Sequence, residues 1–413
     1  MSEEKVIQEL KEQLKFKDFE LNSILEITKA INTNQSIDYL ISIYEFTLRD
    51  RMRIGQFVLF VKQNDWDILV KSKVKSKVKN IRVEKDLIRF RRITIIESSH
   101  SNVLDEFDVV IPVLHQNEPI AFLLLNDNKK ELAKKEVVSS FTDLSFIRTL
   151  TNILVVAIEN KRMNQQSLIQ ERIKKELEVA SEMQKMLFPD VLPSDRRLDL
   201  AATYIARHEV GGDYYDFIPI REDEFIICIG DVSGKGVGAA MLMANFQAMI
   251  RTLLSFGRFD FEYLIPELNR RVMETAKGEK FITFFIAHYN LNTRQLKYIN
   301  AGHNYPILTN GKRARFLDKG TIGLGMLEEI PFLESEELVI EPNSTLMLYT
   351  DGVVELQNKA GDYFKTDRLI KLIHSFYPLK MEDLNNLIFS KLNEFRDKEE
   401  LVDDTAIFSC RIF

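Results

Sequence analysis

The chain has 413 residues, of which 45% are apolar and 29% are charged, a balance typical of a folded water-soluble protein. Its formal net charge of -6 excludes a general attraction to nucleic acid or anionic lipid, and its two cysteines are too few for a disulfide framework. No apolar run approaches the roughly 18–20 residues of a membrane-spanning helix, and no signal peptide is expected, so the sequence predicts a cytoplasmic protein.

The first predicted element is a charged helix over residues 1–22. Its apolar residues recur at alternating steps of three and four, with Lys17 at the one polar position. The seam consists of Ile7, Leu10, Leu14, Leu21 and Ile24. Such a short heptad seam either pairs with a second chain as a coiled coil or packs on its own domain, and the sequence leaves both open.

Residues 23–161 follow the order helix, hairpin, charged middle, hairpin and long closing helix. The strands are "FVLFV" and "WDILV" in the first hairpin and the two halves of "VVIPVLHQNEPIAFLLL" in the second. The lysine-rich "KSKVKSKVKN" predicts an exposed edge strand rather than a nucleic-acid patch, because no aromatic residues are interleaved for stacking bases. This order, with a last helix that ends in "AIENKR", resembles a GAF-type sensory domain, for which the sequence identifies no ligand.

A polar helix is predicted over residues 162–189, where Pro189 and Pro193 end it. Its apolar positions keep a three-and-four spacing that Gln184 interrupts. They are Ile173, Leu177, Ala180 and Leu187. A helix of this kind joins two domains stiffly and is interpreted as a signalling connection, with a plain spacer as the alternative.

Residues 190–413 are rich in short strand-like runs with four helical stretches among them, at residues 238–256, 261–276, 367–376 and 381–395. The strands do not alternate regularly with helices, which predicts an α+β domain with antiparallel sheets.

The stretch "IGDVSGKGVGAA" places Asp231 at the start of a glycine-rich turn that contains a lysine. A phosphate-binding P-loop would need four residues between its glycines and a serine or threonine after the lysine. Here only three residues separate Gly230 from Gly234, and Gly236 follows Lys235. The spacing therefore disfavours an ATPase or kinase and leaves a metal site as the better interpretation.

Further aspartates stand at similar strand ends, without clustered histidines or thiols. They are Asp213 in "EVGGDYYDF", Asp351 in "YTDGVVE", and Asp403 and Asp404 in "DDTAIF". Carboxylates with backbone carbonyls suit magnesium or manganese better than zinc. Two such ions about 3.5–4 Å apart can hold a bridging hydroxide and polarise a phosphoryl oxygen. Asp231 is the best candidate to bridge them, with the Val232 carbonyl as a further ligand.

These motifs, with "INAGHNYPIL" and "IGLGM", resemble in their order the SpoIIE/RsbU branch of the metal-dependent serine/threonine phosphatases, the protein phosphatase 2C-like or PPM family. The resemblance covers residues 187–413 and implies an α/β/β/α sandwich after a GAF-like sensor domain and a helical linker. It implies that Asp213 holds one Mn²⁺ or Mg²⁺, that Asp231 bridges two, and that Asp351 and Asp403 hold the other. Because Ala406 stands where the family's last motif has threonine, Asp404 remains an alternative ligand.

By resemblance, the expected substrate is phosphoserine or phosphothreonine on a small STAS-type, anti-anti-sigma signalling protein. We expect a metal-bound hydroxide to attack phosphorus in line, without a covalent enzyme intermediate, under control of the sensor in a homodimer. Asp216 is expected to support the ligands, and His303 is interpreted as a packed histidine rather than a general acid. The alternative is a catalytically silent binding module with the same fold, although no ligand carboxylate is lost.

Overall fold

The computed structural model describes residues 3–63, 65–74, 78, 80–96, 103–126, 137–255, 260–397 and 399–413. The chain divides into two compact units, Met1–Gln170 and Glu171–Phe413. Helix α1 (Glu3–Asn32) and helix α4 (Val137–Lys185) run without interruption through the predicted boundaries at residues 22 and 161. The division into four segments, with boundaries at residues 22, 161 and 189, stays a prediction.

The first unit contains a five-stranded antiparallel sheet of order β2-β1-β5-β4-β3. Its strands are β1 (Gln56–Lys62), β2 (Trp66–Ser72), β3 (Thr94–Ile95), β4 (Val109–His115) and β5 (Glu118–Asn126). The other helical elements are α2 (Ile37–Phe46), a π-helical segment (Thr47–Arg51) and α3 (Val83–Asp86). Both predicted hairpins are confirmed, and the second turns at Gln116 and Asn117, which both have positive φ.

One face of this sheet packs against helices α1, α2 and α4 through buried residues such as Ile27, Tyr44 and Leu150. Helix α1 is buried at its C-terminal end, where Ile27 lies, but most of the predicted seam nearer its N-terminus is exposed to solvent. Ile7, Leu10, Leu14 and Leu21 are 52%, 59%, 66% and 61% exposed. The described part of the first unit therefore leaves these four seam residues largely exposed, whereas the fifth, Ile24, packs against its core.

The lysine-rich segment was predicted as an edge strand. Strand β2 is indeed at the edge of its sheet, but it ends at Ser72, so it includes only the first two residues of the segment. Lys75, Ser76, Lys77 and Lys79 lie outside the described residues.

The second unit has two antiparallel sheets, apart from one short parallel pairing of β10 with β13. The first has the order β13-β10-β9-β8-β7, with β14 also paired to β10, and the second has the order β12-β11-β15-β16-β6. The strands are β6 (Leu198–Ile205), β7 (Tyr214–Arg221), β8 (Glu224–Val232), β9 (Ile282–Asn290), β10 (Gln295–Ala301), β11 (Ile307–Thr309), β12 (Ala314–Phe316), β13 (Gly320–Thr321), β14 (Glu336–Val339), β15 (Ser344–Tyr349) and β16 (Thr405–Ile412).

The two sheets face each other through a shared apolar core to which Ile229, Phe285, Leu348 and Phe408 belong. Helices α5 (Val237–Ser255) and α6 (Phe261–Ala276) cover the outer face of the first sheet. Helices α8 (Thr366–Ser375) and α9 (Met381–Arg396) cover the second, and the short α7 (Asp351–Val354) follows β15. The predicted α/β/β/α sandwich is confirmed.

Among the described residues, α5 is the one helix whose length and composition would allow it to cross a membrane. Its apolar face packs in the core of the second unit, where Leu242, Met243, Phe246 and Ile250 are buried against the first sheet. Both cysteines, Cys228 and Cys410, are free and buried in strands.

Candidate active site

The first pair of predicted ligands lies at one end of the first sheet. Strand β7 begins with Tyr214, which pairs with Gly230 of β8. Because the strands are antiparallel, this register places Asp213 opposite Asp231. Asp213 is buried, with 1% of the residue exposed. The sequence placed Asp231 at the end of its strand, and β8 includes Asp231 and ends at Val232, because β9 pairs with both residues.

The second group comes from the facing sheet. The Thr350 N–H donates to the Ala406 carbonyl, and the Thr350 Oγ1 accepts the Ala406 N–H. These bonds extend the pairing of β15 with β16, so that Asp351, just after β15, and Asp404, just before β16, lie at the same end of the sheet. A Cβ atom at Gly352 would lie 2.0 Å from the Asp404 carbonyl oxygen, so only glycine permits this close approach. Gly352 therefore packs directly on the backbone of Asp404.

The carboxylates of the two sheets are close enough to disfavour one another's charge. Burial first, and then the charges of Asp231 and Asp404, raise the pKa of Asp213 well above its usual range. Burial raises the pKa of Asp231 to about 7, and Asp351 is the largest charged contributor. Burial and the charge of Asp403 raise the pKa of Asp351 to about 6. The site thus concentrates negative charge that nearby cations would stabilise.

The acidic side chains fit divalent cations in their chemistry but not fully in their arrangement. The Oδ2 atom of Asp213 is buried without a hydrogen-bond partner among the described residues, as expected of a ligand atom. However, no three acidic, histidine or cysteine side chains in the described part of the chain are placed to hold one ion together. Asp403 Oδ2 lies 2.7 Å from Lys235 Nζ, so this carboxylate is engaged by an ion pair. The donor types and charge fit, but Asp403 would have to separate from Lys235 to become a ligand.

Asp404 is held differently from Asp403. Its Oδ1 accepts the backbone N–H of Arg207 at 2.8 Å, and its Oδ2 accepts that of Gly212 at 2.6 Å. The carbonyl oxygen of Val232 faces the same loop, 3.1 Å from the position of a Cβ atom at Gly212. Both aspartates of "DD" are therefore at the site, and Asp404 also fixes the loop that precedes Asp213.

Two further predicted residues have clear structural partners. Asp216 is fully buried and accepts two hydrogen bonds from Arg251 of α5, at 2.7 and 2.8 Å. His303 is buried, and its Nδ1 lies 2.9 Å from Thr283 Oγ1, while burial lowers the pKa of its imidazole to about 4. Thr283 pairs with Asp231 across β8 and β9. The surroundings of His303 agree with a packed, neutral histidine.

Sequence reasoning missed three residues around the site. Gln184 was interpreted as an interruption of an apolar seam, whereas its side chain is buried and bonded to Gly211. Tyr204 has its hydroxyl beside Asp404, and burial with this charge raises the pKa of the phenol. Lys235 was weighed only as part of a P-loop. A polar residue at an apolar heptad position, directly before a helix end, is the signal that could have identified Gln184.

The comparisons with known proteins agree with this geometry. Residues 221–413 match the family described as Stage II sporulation protein E (SpoIIE). Phosphoserine phosphatase RsbU of Bacillus subtilis is 30% identical over 246 residues, which cover 59% of this chain and 72% of RsbU. The chain belongs to the RsbU/SpoIIE family of phosphatases. Membership makes it an enzyme of the metal-dependent PPM class.

The RsbU/SpoIIE-type phosphatase has further relatives. Phosphoserine phosphatase RsbP of Bacillus subtilis is 25% identical over 236 residues, which cover 56% of this chain and 56% of RsbP. The chain thus matches only about half of the length of RsbP. The solved SiaA-PP2C domain of Pseudomonas aeruginosa is 20% identical with a TM-score of 0.53, and the match covers 59% of this chain and 99% of that domain. This structural match supports the fold of the second unit.

Proposed function

We propose that the phosphatase removes phosphate from a phosphoserine or phosphothreonine of a signalling protein, using two divalent cations, Mn²⁺ or Mg²⁺. The observation that carries this proposal is the buried cluster of like-charged carboxylates at one end of the sandwich, with Asp213 Oδ2 unbonded among the described residues. Structural aspartates normally bond to nearby donors. A group of acids that instead raise one another's pKa is typical of a functional site.

The proposed ligands divide between the two sheets. Asp213 would hold one cation, and Asp231 would bridge both with help from the Val232 carbonyl. Asp351 and Asp403 would hold the second, since Asp403 is the charged residue with the largest effect on the pKa of Asp351. When bound, such cations would polarise the phosphoryl group and activate a water molecule as the nucleophile.

Other residues of the chain would bind and orient the substrate. The ammonium group of Lys235 lies at the rim of the acidic cluster with a side chain that is 39% exposed. Arg207 lies on the same rim, since both side chains donate to the Val402 carbonyl. These two positive groups would face the dianionic phosphate. His303 would not supply a proton, because it is buried and neutral.

The proposed substrate is a phosphorylated STAS-type, anti-anti-sigma protein, and the first unit would regulate its dephosphorylation as a GAF-like sensor. The names of RsbU and RsbP, both phosphoserine phosphatases, support the substrate class. Continuity of α4 from Val137 to Lys185 supports a stiff signalling connection. The exposed apolar seam on α1 supports a homodimer.

The chemistry is tested by hydrolysis of an aryl phosphate and of a phosphoserine STAS-domain protein against added manganese. We expect manganese-dependent turnover, and we expect Asp231→Asn to lower kcat/KM by about 100-fold or more, since it weakens stabilisation of the charged transition state. The matched control is Asp223→Asn, in the turn of the same β7–β8 hairpin, where Asp223 pairs with Arg197 on the surface. Full activity of Asp231→Asn would contradict the two-cation site. No turnover on either substrate at saturating manganese would favour the silent binding module.

A further inference from the structure

The loop between β6 and β7 carries Asp213, and side chains hold its backbone. Asp404 accepts N–H groups from Arg207 and Gly212. The other contact comes from Gln184, in the last turn of α4, whose Nε2 donates to the Gly211 carbonyl at 2.7 Å. The Gly211 N–H in turn donates to Gln184 Oε1 at 3.2 Å. One buried carboxamide therefore satisfies both polar backbone atoms of one loop residue.

Gly211 lies directly against the acidic cluster. A Cβ atom there would be 1.8 Å from the Tyr204 hydroxyl and 2.3 Å from Asp404 Oδ2. The next residue, Gly212, donates to the same Asp404 oxygen, and Asp213 follows. A shift of Gly211 would thus move the donor to Asp404 and the backbone that carries Asp213. Gln184 is thus connected to Asp213 and Asp404 through the backbone of residues 211–213.

The end of α4 is itself fixed, which allows Gln184 to act as a rigid support. The ring of Phe188 stacks on Tyr215 with centroids 4.7 Å apart, and it contacts Tyr204 at 5.3 Å. The Leu187 carbonyl accepts a hydrogen bond from Gln247 of α5 at 3.2 Å. By contrast, Lys185 and Met186 are exposed, so the buried polar contact is particular to Gln184.

We propose that Gln184 is a positioning residue of the phosphatase: it holds residues 211–213 so that Asp213 and Asp404 are arranged to receive the catalytic cations. The inference rests on the proposed function, since it assigns Gln184 a role towards the same cation site. Residues that orient metal ligands through hydrogen bonds typically change metal affinity by about 10–100-fold when they are replaced. A residue that only stabilises the fold would not change it.

The test compares Gln184→Leu with Gln247→Leu in the full-length chain. Both substitutions remove hydrogen bonds at the end of α4, but only Gln184 contacts the loop before Asp213. Manganese binding without substrate is measured by calorimetry, and exchange of the Gly211 and Gly212 amide hydrogens by mass spectrometry. We expect Gln184→Leu to weaken manganese binding about tenfold or more and to speed exchange at these amides, while Gln247→Leu changes neither.

Three results would overturn the inference. If Gln184→Leu binds manganese as tightly as the unsubstituted chain, Gln184 does not position the ligands. If the two variants weaken manganese binding equally, the effect is one of general stability. If amide exchange at Gly211 and Gly212 is unchanged in Gln184→Leu, the loop does not depend on the carboxamide, even if the manganese affinity changes. Failure of the unsubstituted chain to bind manganese, with faster amide exchange still present in Gln184→Leu, would instead overturn the proposed function and the metal-directed part of the inference.

Discussion

At the residue scale, the site is defined by an excess of negative charge that few positive groups offset. Asp213, Asp231 and Asp351 all have raised pKa values with burial as the largest cause. The ammonium of Lys235 bonds to Asp403 and to the Val402 carbonyl, and its charge lowers the pKa of Asp351. The glycine-rich turn therefore contributes a cation to the acidic cluster rather than a P-loop.

Replacing Lys235 tests whether it competes with a metal for Asp403. We expect Lys235→Met to tighten manganese binding by about two- to fivefold, because a partly exposed ion pair contributes about 1 kcal/mol or less. The same variant should raise KM for the phosphoprotein, because a positive group at the rim is lost. Both quantities are obtained from calorimetry and steady-state kinetics.

The matched control is Lys280→Met, whose ammonium binds the carbonyl of Ser233 in the same turn and no carboxylate of the cluster. If Lys235→Met weakened manganese binding, or changed it no more than Lys280→Met did, competition for Asp403 would be ruled out.

At the element scale, an ion pair joins helix α5 to strand β7. Asp216 is fully buried and accepts from Arg251 Nε and Nη2, from the Tyr214 hydroxyl and from the Phe217 N–H. Helix α5 follows the glycine-rich turn after β8, the strand that contains Asp231, and β7 begins directly after Asp213. The pair thus joins a helix and a strand that each adjoin a segment with a proposed ligand.

Removing Arg251 would leave a buried carboxylate without its counter-charge. We expect Arg251→Leu to lower the free energy of unfolding of the second unit by about 3 kcal/mol, the lower end for such changes, since Arg251 is half-exposed. In the double variant Asp216→Asn with Arg251→Leu, part of this loss should be recovered. Urea denaturation measures both.

Arg270→Leu on α6 provides the control, because Arg270 pairs with Glu267 and Glu274 on the helix surface. Its expected cost is below about 1 kcal/mol. Equal costs for the two arginine variants would mean that the buried pair does not hold α5 on the sheet.

The sequence predicted elements well where their pattern is local. Helix α6 has the predicted bounds of residues 261–276, because apolar residues at helical spacing define it. The end of β8 at Val232 depends on its pairing with β9, about fifty residues away, which a local pattern does not contain. Two contacts at the site were missed for the same reason. Lys235 forms an ion pair with Asp403, and Gln184 bonds to Gly211, and in both cases the partners are too far apart in the sequence for a local pattern to link them.

At the scale of the whole molecule, six short motifs predicted the fold of the second unit, whereas the first unit was predicted from the order of its helices and hairpins. Its five-stranded sheet has buried apolar side chains on both faces. The feature of the first unit that its own fold does not explain is the exposed seam of α1. Four large apolar residues in one seam, each more than half exposed, are unusual on a lone helix in water.

A homodimer that buries this seam is therefore the expected state of the full chain. Heptad spacing allows Leu10 and Leu14 to pack between parallel helices as a coiled coil. We expect light scattering to give twice the monomer mass, and we expect the double variant Leu10→Lys with Leu14→Lys to be monomeric with altered phosphatase activity. Val191→Lys is the control, since Val191 is 82% exposed and lies away from α1 in the sequence. A fully active monomer at all useful concentrations of the unsubstituted chain would show that pairing of the helices does not set the activity.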